Sequence, residues 1–175
     1  MMTNGSCCAT GQRACPAIGI GAVALLALRT FIGGVFLYAA AVKLQDPQQF
    51  AFAIRAYRII PDDALHLVTL GTFIVPWVEL IAGALLVIGL WGRASALVAT
   101  GLMAFFVYAV WSVIARDLSI TCGCFGKLKG PFGCEGPIGA CKLAENLTLL
   151  ASALALTAFG PGSISVDSLC RRKAC

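Results

Sequence analysis

Apolar residues in this 175-residue chain gather into four long blocks separated by polar connections. The blocks cover about 18–42, 70–90, 94–115 and 143–159. A helix needs about 20 mostly apolar residues to cross a bilayer. The first three blocks reach that length; the fourth, the shortest, comes close and is expected to begin among the lipid headgroups. The pattern predicts an all-α integral membrane protein, a four-transmembrane-helix bundle. The first block is too long for a signal-peptide core and no lysine-rich start precedes it, so it is expected to remain as a helix.

The connection between the first two blocks, "KLQDPQQFAFAIRAYRIIPDDALH", repeats Phe50, Ile54 and Tyr57 at helical spacing beside Arg55 and Arg58. Pro47 suits a first helical turn and Pro61 an end, which predicts an amphipathic helix lying in the membrane interface. The next connection, "WGR", is short enough to make the second and third membrane helices antiparallel neighbours. The chain thus divides into an N-terminal tail (1–17), a membrane domain (18–160) with a cysteine-bearing loop (116–142), and a C-terminal tail (161–175).

Composition narrows the function classes. With 59% hydrophobic and 12% charged residues, the chain leaves no room for a soluble catalytic domain. Its net charge of +5 is spread over loops and tails without interleaved aromatics, so the expected partner is the lipid bilayer and not nucleic acid. Two charges fall inside apolar blocks, Arg29 in the first and Glu79 in the second. Each is costly against lipid, about 2.5–3.5 kcal/mol on insertion scales. Their opposite signs and similar depths predict that they pair. Lys43, nearly four turns after Arg29, extends a polar seam toward the cysteine loop.

Four of the nine cysteines lie in "ITCGCFGKLKGPFGCEGPIGACK", residues 120–142. Their spacing does not match the paired knuckles of structural zinc, and no metal is assigned. Cys134 and Cys141 suit either a bracing disulfide or a second redox pair. Cys122 and Cys124 are parted by Gly123 alone, and a disulfide across one residue is strained and easily reduced. Lys127 and Lys129 lie close enough in sequence to stabilise a thiolate. The redox pair is therefore assigned to Cys122 and Cys124, with Arg29, Lys43, Glu79 and Lys127 as supporting residues. Counting Lys and Arg does not orient the protein, but persistent disulfides belong in an oxidising compartment. That places the loop outside and both tails, with Cys7, Cys8, Cys15, Cys170 and Cys175, in the cytoplasm. Two other functions fit the same residues: an accessory subunit whose cysteines brace a loop, and a thiol-based carrier of a soft metal ion.

The string Arg29, Gly33, Ala40, Lys43, Pro47, Phe50, Ile54, Tyr57 and Pro61 resembles the MauE branch of the DoxX-like membrane proteins. So do Pro76, Trp77, Glu79, Gly83 and Gly89, the "CGCFG" of Cys122 to Gly126, and Gly139 with Asn146. The similarity spans about Arg29 to Leu150 and leaves the tail cysteines outside it. It implies a bundle like those of quinone-linked disulfide-forming enzymes, in a bacterial inner membrane, with the loop periplasmic. It further implies a thiol–disulfide oxidoreductase that matures a periplasmic disulfide-containing partner of the methylamine dehydrogenase small-subunit type. A quinone or a thioredoxin-like protein is the implied redox partner.

Overall fold

A computed structural model describes residues 20–61, 63–118, 120 and 138–160. Among them the chain forms five helices: α1 (Ile20–Gln45), α2 (Pro47–Ala56), α3 (Leu65–Ile88), α4 (Gly92–Ala115) and α5 (Ala140–Phe159). Three stretches, Val23–Gln45, Leu65–Ile88 and Gly92–Ala115, are long and apolar enough to cross a membrane. This is the architecture of a multi-pass membrane protein. Cys122, Cys124, Lys127, Cys134 and both tails lie outside the described residues.

The helix ends follow from local chemistry. Asp46 opens α2 by accepting a hydrogen bond at Oδ1 from the Gln49 N–H at 3.0 Å, with Pro47 at the first position, where its missing N–H costs nothing. Gly89 ends α3 at φ 78°, and the N–H groups of Gly89 and Leu90 both donate to the Leu85 carbonyl. That left-handed turn suits glycine and lets α4 fold back antiparallel. At the far end of α4, Arg116 donates to the carbonyls of Tyr57 (2.8 Å) and Arg58 (2.9 Å) and to the Ser112 carbonyl (2.8 Å). It fastens the turn after α2 onto the end of α4.

The tightest packing is between α1 and α3, which share their most extensive contact, as α4 does with α5. A Cβ at Gly33 would lie 2.9 Å from the Gly83 carbonyl oxygen and 2.7 Å from Val87 Cγ2; one at Gly83 would lie 2.9 Å from the Gly33 oxygen. The backbones approach as closely as small residues allow. Gly34, one position on, faces open space. Phe36 and Ile32 of α1, Leu86 of α3, Ala96, Ala99 and Met103 of α4, and Leu149 and Leu156 of α5 form the core around this crossing.

Gly33→Ala or Gly83→Ala should force the α1–α3 backbones apart, an overpacking cost of about 1–3 kcal/mol. The melting temperature in detergent should fall for both and stay unchanged for Gly34→Ala. Equal losses at all three positions would mean that the close crossing is not what these glycines serve.

Candidate functional site

The α1–α3 crossing fixes where the buried charges meet. Arg29 precedes Gly33 by four residues and Glu79 precedes Gly83 by four. Because the helices are antiparallel, those steps run in opposite directions. The two levels end up about 12 Å apart, at about 1.5 Å per residue. Side chains also lean toward their helix N-terminus, which turns Arg29 away from Glu79 and turns Lys43 and Glu79 toward each other. The expected Arg29–Glu79 pair therefore gives way to another. Lys43 Nζ lies 2.5 and 2.6 Å from the two Glu79 carboxylate oxygens, with both side chains about 1% exposed. Arg29, also buried, sets its guanidinium against Gly89, where a Cβ would come within 2.5 Å of Nη1. A cation there complements the negative end of the α3 dipole.

Two aromatic rings complete the surroundings of Lys43. Its ammonium lies 5.3 Å from the Phe50 ring centre and 4.9 Å from that of Phe106. These are cation–π distances, most favourable where water is excluded. Beyond the rings, between α2, α3 and α4, is a wholly apolar cleft of about 120 Å³. Phe50 and Phe106 form part of its wall, together with Ile54, Tyr57, Val75 and Phe105. On the other side of Phe106, Lys43, Glu79 and Asn146 line a small cavity of about 20 Å³.

The first turns of α5 hold a second buried polar group. Lys142 Nζ lies 3.0 Å from Glu145 Oε2, and Asn146 Nδ2 donates to the Lys142 carbonyl at 2.8 Å. All three are buried. They stand at i, i+3 and i+4, on one helix face, and Leu149, Ala153 and Leu156 continue that buried face. Reading the sequence block by block counts Lys142 as a loop charge and passes over Glu145. The signal that marks them is the helical spacing of the three polar residues ahead of an apolar stripe. Immediately before them, Cys141 is exposed and disulfide-bonded. It is the one cysteine among the described residues. The structure thus brings Lys43 and Glu79 together, places Arg29 separately at the end of α3, and sets Cys141 beside the α5 cluster.

Glu79→Gln should strand the Lys43 ammonium, a loss of about 3–5 kcal/mol for a buried pair broken on one side. Thermal denaturation in detergent should show it, and a Lys43→Met, Glu79→Leu double variant should recover most of it. Arg29→Gln combined with Glu79→Gln should lose the simple sum of the single losses, as residues without a shared contact do. A sub-additive loss in that second pair would restore the Arg29–Glu79 contact.

The comparisons with known proteins bear on the whole of this arrangement. The family model for "Methylamine utilisation protein MauE" matches residues 21–159, from α1 to the end of α5. A relative from Paracoccus denitrificans, "Methylamine utilization protein MauE", is 31% identical over 141 residues, which is 80% of this chain and 72% of the relative. No solved structure matches. The match takes in the α1–α3 crossing, the buried ion pair and the polar first turns of α5, and the chain belongs to the MauE family.

Proposed function

We propose that this protein is a membrane thiol–disulfide redox protein that supports disulfide formation in a periplasmic partner of the methylamine dehydrogenase small-subunit type. The observation that carries the reading is the bonded sulfur of Cys141 at the head of α5, next to a buried group of ionisable side chains. A disulfide-bonded sulfur and ionisable side chains stand side by side at the first turn of α5. The family's association with methylamine utilisation supplies the context.

In this reading α5 is the fourth membrane span. Its 20 residues reach about 30 Å at 1.5 Å each, the thickness of the hydrocarbon layer, with Lys142 and Glu145 near the headgroups. Helix α2 lies in the interface, burying Phe50 and exposing Phe52. The loop between α4 and α5 faces the periplasm of a bacterial inner membrane, and both tails face the cytoplasm. Cys122 and Cys124 form the exchanging pair, with Cys134 and Cys141 as the second. A partner thiolate attacks the Cys122–Cys124 disulfide to give a mixed disulfide. A second partner thiol resolves it, leaving the partner oxidised and the pair reduced. Reoxidation releases two electrons and two protons, which a quinone takes up to become a hydroquinone; a thioredoxin-like disulfide is the other acceptor of the right stoichiometry. The apolar cleft behind Phe106 fits the body of a quinone, within a side chain's thickness of Lys43.

The deciding experiment traps the mixed disulfide. Cys124→Ser should accumulate a covalent adduct through Cys122 with a periplasmic, disulfide-rich protein, identified by mass spectrometry of the non-reduced complex. If a Cys122→Ser, Cys124→Ser double variant still matures that partner at the normal rate, the loop is a brace and the redox reading is wrong. Orientation has its own test. After mild reduction of intact cells, a membrane-impermeant maleimide should label Cys122 or Cys124 and spare Cys7 and Cys175; the reverse labelling would invert the topology.

A further inference from the structure

We propose that the small cavity bordered by Lys43, Glu79 and Asn146 is a binding site for one water molecule, which ties α5 to the buried ion pair of α1 and α3. The site belongs to the packing of the bundle and does not rest on the redox reading above.

Size limits the occupant first. The cavity measures about 20 Å³. One water takes roughly 10–15 Å³, whereas a cavity that admits benzene is about 150 Å³. The space therefore suits a single water and excludes any ring.

The wall then selects water by its chemistry. Much of it is apolar, from Val35, Phe36, Ala39, Met103, Phe106 and Leu149. A cavity with such a lining alone stays dry, and a water stays where two to four polar partners hold it. Three polar side chains border this one. Lys43 is 2% exposed, Glu79 1% and Asn146 7%. The Lys43 ammonium has three N–H donors, and Glu79 accepts from it at 2.5 and 2.6 Å. Each carboxylate oxygen has about two lone-pair sites, so Glu79 retains acceptor capacity beside those bonds. An asparagine amide carries two N–H donors and an acceptor oxygen, and the Lys142 carbonyl takes one of the donors at 2.8 Å. Water both donates and accepts, which matches this mixed set. An ion does not, because Lys43 repels a cation and Glu79 repels an anion.

The water gives α5 a link that its apolar face cannot. Helix α5 packs chiefly on α4, and its buried Leu149, Ala153 and Leu156 make contacts without direction. Asn146 is the polar residue that α5 brings to the cavity. Turning α5 by one residue would take the amide away from the water and press it against hydrocarbon, where an unpaired amide is costly.

The test looks for the water at Lys43. Full-length protein carrying ¹⁵N-lysine is placed in lipid bilayers, and transfer of magnetisation from water protons to each lysine ammonium is followed by solid-state NMR. The Lys43 signal is the one missing from a Lys43→Met, Glu79→Leu variant. In the unaltered protein Lys43 should receive magnetisation as early as an exposed lysine does. Asn146→Leu removes the amide and Ala39→Val fills the cavity from its wall, and the early transfer should be lost in both. Stability reads the tie itself. Asn146→Leu should lower the melting temperature in detergent by about 2–4 °C, the shift expected for one net hydrogen bond in a chain of this size. The same change in the Lys43→Met, Glu79→Leu background should leave the melting temperature unchanged or higher. Melting also shows which variants fold, and either one alone reports on the water. The site is overturned by the absence of early transfer in the unaltered protein or by its survival in a folded variant. An Asn146→Leu effect that is the same in both backgrounds overturns it as well.

Discussion

Lys43 places an ammonium group almost fully buried in the helix bundle, and the fold is arranged around neutralising it. All five helices contribute to its surroundings. Lys43 itself comes from α1, its counter-ion Glu79 from α3, the two facing rings from α2 and α4, and the polar wall of the adjoining cavity from Asn146 of α5. A lone ammonium there would face a desolvation penalty of several kcal/mol. The pair thus constrains the register of α1 on α3 from above, while the Gly33–Gly83 crossing constrains it from below. A shift by one turn along the helices would separate the charges and drive side chains into the glycine contact.

Much of this was legible in the sequence because it depends on spacing along single helices. The apolar blocks place α1, α3 and α4, and Pro47 with the Phe50–Ile54 repeat marks α2. Glu79 stands out in the sequence as a charge inside an apolar block, and the structure buries it. The partner was not legible, because depth estimated from Cα positions ignores the lean of side chains. In antiparallel helices that lean moves Lys43 and Glu79 together by several ångströms and moves Arg29 the other way, to Gly89. Gly89, named in the sequence only as part of the family string, is a left-handed cap with a guanidinium pressed against it.

The α5 cluster shows a different limit. Lys142, Glu145 and Asn146 stand where a hydropathy window sees only the frayed edge of an apolar block. Their burial depends on α4 and α5 packing together, which no local pattern states. Only the family string drew attention to Asn146. Polar residues at the mouth of a bundle become interior residues when a neighbouring helix extends past them.

The fastening made by Arg116 has a mechanical consequence. Its guanidinium grips the carbonyls of Tyr57 and Arg58 while its own backbone ends α4, at the root of the segment leading toward Cys141. Tyr57 belongs to the wall of the apolar cleft. One planar guanidinium therefore joins the wall of the apolar cleft to the C-terminal end of α4. A molecule that pushed the Tyr57 turn outward from the cleft would have to stretch those two bonds or carry the end of α4 with it.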